Sequence, residues 1–273
     1  MTLAAPRQLE KIAHTVAFGI RFWDPVSSSQ IVEGLSVKVY PASQPDRCTW
    51  AIPSRSGVFV VRRLGPIGGF ESSTAPTPRR FTVEVSDALN RFVPFEMNQT
   101  LTTAGRLLSI DEDREEPGGI SLFSLATRAV PSGMAVVRAE LFDPTRDQPA
   151  AGAVLELTGT DGTKVLGLAD QTGRAAIIFP WPEPPMLTGA AVAAQGMEWT
   201  FRVRGFYLPT TVGAPDLREA LRLQPEADLW EDVARKTPRK TLVLQYGREF
   251  VLRTLATTPP IGAVLHITSK PPV

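Results

Sequence analysis

Histidine and cysteine are the side chains most often recruited for chemistry near neutral pH, and this sequence contains only His14, His266 and Cys48. His14 stands just before the first strand-like stretch and His266 lies inside the last one. No His-x-x-Glu, His-x-x-x-His or Cys-x-x-Cys spacing occurs, so the chain carries no zinc-hydrolase signature. No Gly-x-Ser-x-Gly elbow presents a serine nucleophile. Gly65, Gly68 and Gly69 do not make a phosphate loop, because no Lys-Ser/Thr pair follows them. The expectation is therefore no catalytic residue, no cofactor-binding residue, no metal ligand and no cofactor: a protein that is not an enzyme.

Two other groups of residues could bind something. Asp111, Glu112, Asp113, Glu115 and Glu116 lie together, and Asp111, Asp113 and Glu115 alternate as Ca²⁺ donors would. Arg114 interrupts them and no Asp-x-Asp-x-Asp-Gly loop is present, so the run reads first as a solvated linker. Five tryptophans, Trp23, Trp50, Trp181, Trp199 and Trp230, could stack on a sugar. Trp23 and Trp199 fall inside strand patterns and are expected in the core or between sheets. Trp50 and Trp181, the latter between two prolines, are the candidates for exposed rings and for ligand binding. The competing reading is that these rings plug the ends of a sandwich.

The elements that must position these residues are strands. Val16, Phe18, Ile20 and Phe22 alternate, as do Leu35, Val37 and Val39, which is the two-residue period of a half-buried strand. The segment 57–64 is apolar on both faces, as a central strand would be. Arg80 to Asp87, Met134 to Phe142, AGAVLEL (151–157) and AAIIFP (175–180) continue the pattern. Twenty-five prolines argue against a helical protein, since proline removes a backbone donor and is confined to turns and edges. Two short helices are expected at 215–223 and 227–236: Asp216 and Glu219 form a capping box, and Leu229, Trp230 and Val233 share a helical face. The segment 241–254 reads as a hairpin turning at Tyr246-Gly247, and AVLHIT (263–268) is the last strand.

Landmarks recur at a constant distance. Asp24-Pro25 and Asp143-Pro144 are 119 apart (143 − 24), Gly34 and Gly152 are 118 apart (152 − 34), and Gly57 and Gly173 are 116 apart (173 − 57). Phe81 and Trp199 give 118 (199 − 81). A period this long means a duplicated domain rather than a solenoid. The expected organisation is a tail at 1–12, a first β-sandwich at 13–102, an acidic linker at 103–132 and a second β-sandwich at 133–273. The second carries a helical insertion at 210–240.

The second copy resembles the carboxypeptidase-regulatory-like, or transthyretin-like, β-sandwich family. The resemblance rests on QPAAGAVLEL (148–157), GLADQTGRAAIIFP (167–180) and FRVRGFY (201–207). It covers 134–208 well and 16–97 weakly, because Ser54-Arg55-Ser56-Gly57 stands where the family has its Asp-x-x-Gly turn. It implies an all-β fold of tandem Greek-key (transthyretin/Ig-like) β-sandwiches and says nearly nothing about activity. As a whole, IRFWDP, GVFVVRRL, FTVEVSDALNRFVPF and MAVVRAELFDP look like proteins that accompany phage-tail-like contractile injection particles. That resemblance implies a structural or adaptor subunit of a bacterial assembly, cytoplasmic until the particle is built or released.

The remaining expectations concern partners. A net charge of +1 supplies no field for nucleic acid or an anionic membrane. No window is long and uncharged enough to span a bilayer, and Arg7, Glu10, Lys11 and His14 interrupt any secretory signal. A single cysteine excludes an intrachain disulfide. Other protein subunits are the expected partners, docking on Leu229, Trp230 and Val233 of the insertion. A glycan held by Trp50 and Trp181 is the alternative.

Overall fold

The computed structural model describes residues 18–61, 79–101, 106–108, 119–183, 197–209, 215–255 and 264–270. In the first half the strands are β1 (Phe18–Ile20), β2 (Phe22–Asp24), β3 (Ser29–Ile31), β4 (Leu35–Pro41), β5 (Thr49–Trp50) and β6 (Ile52–Pro53). They continue with β7 (Phe59–Val61), β8 (Arg79–Asp87), β9 (Phe95–Leu101), β10 (Arg106–Leu108) and β11 (Ile120–Ser121). The second half holds β12 (Met134–Asp143), β13 (Gln148–Pro149), β14 (Val154–Thr158), β15 (Lys164–Leu168), β16 (Arg174–Pro180) and β17 (Glu198–Phe206). After the helix α1 (Leu217–Arg222) come β18 (Glu226–Leu229), β19 (Thr241–Gln245), β20 (Phe250–Leu252) and β21 (Leu265–Ser269). The fold is all-β and sandwich-type, as the alternation of apolar residues predicts.

The two halves repeat one pairing scheme. The run β1–β2 pairs antiparallel with β3 and β7 and parallel with β10 and β11. Likewise β12 pairs antiparallel with β13 and β16 and parallel with β20 and β21. Facing them, β5-β4-β8-β9 corresponds to β15-β14-β17-β19. Phe18 faces Val61 and Val137 faces Ile177, so the offsets there are 119 (137 − 18) and 116 (177 − 61). One sequence match is corrected. Val37 faces Val85 and Leu155 faces Gly205, so β8 maps onto β17 with an offset of 120 (205 − 85), and Phe81 corresponds to Phe201 rather than Trp199. A slip of two residues keeps every side chain on its face, which is why alternation alone does not reveal it.

The turns repeat too. Asp24 and Asp143 are both buried and both accept a backbone N–H two residues on, from Val26 at 3.0 Å and from Thr145 at 2.9 Å. Ser28 and Asp147 then take matching left-handed conformations, φ 50° and 54°. In the turn before β16, Asp170 accepts from the N–H of Arg174 at 3.0 Å, and Ser54 accepts from Val58 at 3.2 Å in the first copy. Ser54 thus does for the first copy what Asp170 does for the second. Both turns close on a glycine of positive φ, and a Cβ at Gly173 would stand 2.3 Å from the Leu141 carbonyl.

Several expectations fail for identifiable reasons. Residues 227–229 are strand β18, not helix: Ala227 and Leu229 alternate inward while β17 and β21 supply backbone partners on either side. Residues 241–254 are not a hairpin, because β19 pairs with β17 and β20 with β12, so the Tyr246-Gly247 turn crosses between sheets. Within the linker 103–132, ISLFSL (120–125) reads as a strand lying along one sandwich, and that part holds: β11 pairs with β2 and Ile120, Leu122 and Phe123 are buried in the first core, where Leu108 joins them. The linker's acidic residues 111–116 lie outside the described residues. Trp23 is 39% exposed, because the inward positions of β2 are Phe22 and Asp24.

The insertion closes the first half. Leu217 and Ala220 of α1 are buried in the same core as Phe18, Val83 and Met97, together with Val154 and Leu168 of the second half. At the end of β2 the Asp24 carboxylate accepts from both Nη atoms of Arg128, at 3.0 and 2.7 Å, and the Arg128 guanidinium lies 4.8 Å from the Phe92 ring centroid. Burial pushes the Asp24 pKa up, but hydrogen bonds from Arg128, Ser27 and the Val26 amide outweigh it and hold the carboxyl below the ordinary aspartate range.

Two outcomes follow. Leu217→Ala should cost about 2–5 kcal/mol and speed amide exchange in β8 and β9 of the first half, not only in the second. Because the folded pKa of Asp24 is depressed, its contribution is complete above the unfolded value of about 3.9 and is lost as pH falls through the lower folded value. Urea melts between pH 5 and pH 2 (roughly the window of acid unfolding) should therefore show a steeper stability loss for the native chain than for Asp24→Asn.

Candidate functional site

Three segments distant in sequence bring aromatic rings together at one end of the second sandwich. Trp181 follows Pro180, the last residue of β16, Trp199 stands near the start of β17, and Tyr246 follows Gln245 at the end of β19. The Trp181 ring centroid lies 5.3 Å from that of Trp199 and 5.2 Å from that of Tyr246, with Trp199 and Tyr246 6.2 Å apart. All three pairs are tilted, the geometry that brings ring edges toward neighbouring faces. Trp181 and Trp199 rest on the second core, whereas Tyr246 is 54% exposed. The Trp199 indole N–H donates to the Glu183 carbonyl at 3.4 Å.

Beside this cluster lies an open cavity of about 540 Å³ lined by Glu198, Val243, Gln245, Arg248, Glu249 and Phe250. Its polar groups are tied to the scaffold. Gln245 Nε2 donates to Glu198 at 2.8 Å, and Arg138 Nε donates to Glu249 at 2.6 Å. The cavity offers one aromatic ring, Phe250, and two carboxylates held by hydrogen bonds, while the Trp181, Trp199 and Tyr246 rings stand outside its lining.

The residues singled out in the sequence are not brought to one place. Trp50, 58% exposed, lies on β5 of the first half, and Trp181 lies in the cluster of the second. Leu229, expected on a docking face, is buried in the second core because it points inward from β18. Trp230 is half-buried and its indole N–H donates to Thr268 Oγ1 at 2.9 Å. Only Val233 of that trio is exposed, at 50%. His266 is half-buried on β21. Burial and the nearby Arg235 charge push its pKa down, and its Nδ1 has no hydrogen-bond partner among the described residues. His14, Gly65, Gly68, Gly69 and the 111–116 carboxylates lie outside the described residues. Among the described residues no three His, Cys, Asp or Glu side chains gather as metal ligands.

Tyr246 escapes a reading of the sequence because it looks like a turn residue. Trp199 escapes because it sits on the inward face of a strand, and only the open end of the sandwich leaves it half-exposed. The signal that could have paired them is that each aromatic residue lies at a strand end.

No protein-family model and no curated protein matches the sequence. Solved structures that align with it include the shaft pilin SpaA from Lactobacillus rhamnosus GG, at 7% identity over 95% of this chain and 100% of that one, TM-score 0.25. The Streptococcal ancillary pilin aligns at 10% identity over 92% of this chain and 64% of that one, TM-score 0.26. A 9R-lipoxygenase from Cyanothece PCC8801 aligns at 14% identity over 48% of this chain, TM-score 0.20, and the chain spans 18% of that protein's length. Identities and scores this low assign no function.

If Trp181 anchors the cluster, Trp181→Ala should lower stability by roughly 1–3 kcal/mol through lost burial and ring contacts. It should also raise the acrylamide quenching of the remaining tryptophan fluorescence. An unchanged urea midpoint and unchanged quenching would remove the cluster as an organised site.

Proposed function

We propose that the chain is a non-catalytic structural or adaptor subunit of a bacterial multiprotein assembly. The observation that carries this reading is the docking of Pro215, Asp216 and α1 of the second half onto β9 of the first. The Glu96 N–H donates to the Pro215 carbonyl at 3.0 Å, the Asn98 N–H donates to Asp216 Oδ2 at 3.0 Å, and Leu217 enters the first core. Two sandwiches joined by backbone hydrogen bonds and shared apolar packing make a spacer, which is what a subunit needs to hold neighbours apart. The sequence stretches that look like those of phage-tail-like contractile injection particles support the narrower reading, a subunit cytoplasmic until assembled into or released with such a particle.

Sedimentation tests it. A tagged chain expressed in its own cells should run with large particles that contain tube and sheath subunits. Val233→Glu, at an exposed position, should reduce that association severalfold without changing the melting temperature. A tagged chain found solely at the sedimentation rate of a free 29.7 kDa protein would end this reading.

The Trp181, Trp199 and Tyr246 cluster favours a second reading, a glycan- or surface-binding module. In that case Tyr246→Ala should abolish retention on a polysaccharide array while Trp50→Ala leaves it intact, since Trp50 has no aromatic neighbour at ring-contact distance among the described residues.

A further inference from the structure

One face of β14, β17 and β18 carries neighbouring charges: Arg202 and Arg204 on β17, Glu226 and Asp228 on β18, and the buried Glu156 on β14. They link across the strands. Lys164 Nζ lies 3.5 Å from Glu156 Oε2, Arg204 Nη1 lies 3.4 Å from Glu156 Oε1, and Arg204 Nη2 lies 2.6 Å from Glu226 Oε2. Lys270 completes the ladder, 3.7 Å from Glu226 and 3.4 Å from Asp228.

Next to this ladder the sheet forks. β17 pairs with β18 through Gly205 and Phe206 but with β19 from Arg202 backward, and between them the Val203 N–H is met by the Lys240 carbonyl at 2.8 Å. The fork opens a groove of about 630 Å³ whose lining includes Arg202, Arg204, Arg239, Lys240 and Lys270 against Glu226 and Asp228. Arg204 and Lys270 are engaged by the ladder. Arg202, Arg239 and Lys240 make no salt bridge among the described residues, although the Arg202 charge acts on Glu226 from a distance, and Arg239 donates from Nη2 to the Arg253 carbonyl. The Nε atoms of Arg204 and Arg239 are buried donors with no partner among the described residues. The local field is positive enough to be felt: Arg204 above all, then Lys270 and Arg202, holds the Glu226 carboxyl below its ordinary range against the effect of burial.

We propose that this groove binds a carboxylate-rich peptide segment of a partner protein, through Arg202, Arg239 and Lys240. The proposal rests on the assembly reading above and names the chemistry of one contact. Guanidinium groups match carboxylates in shape and form two parallel hydrogen bonds with them. Glu226 and Asp228 stand within the groove and repel a continuous phosphate backbone, whereas carboxylates spaced along a peptide can sit beside the free cations alone.

Calorimetric titration of the full chain with a short Glu- and Asp-rich peptide tests this, with its Gln- and Asn-substituted twin, inorganic phosphate and a single-stranded oligonucleotide as comparisons. The acidic peptide should bind, more weakly as salt rises, and the twin should not. The double variant Arg202→Glu, Lys240→Glu should weaken binding about tenfold or more with an unchanged melting temperature. Should that variant melt early, Lys240→Gln alone should still weaken the peptide measurably. Equal binding of the twin, tighter binding of phosphate or the oligonucleotide, or full affinity in both variants would overturn the assignment. If the chain co-sediments with particles yet no peptide binds, the groove assignment falls and the assembly reading stands. If the peptide binds and the chain never co-sediments, the assembly reading falls instead.

Discussion

Backbone groups on the β9 edge that become covered at the junction of the two halves need partners, and the carboxylate of Asp216 supplies one. One of its oxygens accepts the Glu219 N–H at 2.9 Å and caps α1. The other accepts the Asn98 N–H at 3.0 Å and its side-chain amide at 2.8 Å on the β9 edge. Helix and edge are thereby fixed by one side chain, and Leu217, next along the chain, is delivered into the first core. The capping box is visible in the sequence, but its second task is not, because nothing local to Asp216 points to a strand 118 residues earlier.

The duplicated Asp-Pro turns show how one framework tolerates different compensation. Asp24 and Asp143 occupy equivalent buried positions and satisfy the same backbone donor. Asp24 gains the bidentate Arg128, which comes from the segment between the halves and stacks on Phe92. Asp143 has Arg146 no closer than 4.0 Å and faces the buried Tyr207 hydroxyl instead. A buried carboxylate without partners is costly. Each copy has therefore acquired its own partner, and in the first copy that partner also anchors the crossing into the second, since Arg138 of β12 donates to the Arg128 carbonyl at 3.2 Å.

Most of the strands were legible because one face of each is buried: Phe18, Ile20 and Phe22, then Val37 and Val39, then Phe81, Val83 and Val85 alternate in the chain as they do in the core. The duplication was legible because glycine marks positions of positive φ that other residues avoid, at Gly34 and Gly152 and at Gly57 and Gly173. Illegible were the features set by long-range pairing. Leu229, Trp230 and Val233 fit a helical face, while Ala227 and Leu229 fit a strand face, and a run this short supports both. The choice falls to the strand because β17 and β21 each offer an unpaired edge. The aromatic cluster was illegible for a related reason: its three rings come from three strand ends, and only the packing of the sheets makes them neighbours.

The divergence of the two copies has one structural origin. In the first copy β9 accompanies β8 through seven registered pairs, from Arg79 with Leu101 to Val85 with Phe95, so the sheet continues without a break. In the second copy that role is divided. β19 accompanies β17 from Glu198 to Arg202, and β18 takes over at Gly205 and Phe206, after the chain has detoured through α1. The detour supplies the helix that covers the β9 edge, and the change of neighbour leaves the fork lined by Arg202, Arg239 and Lys240. The covered β9 edge and an open cationic groove are thus two consequences of the same extra chain after β17. A tandem protein whose copies were identical would have neither: its β9 edge would be bare and its second sheet would be closed.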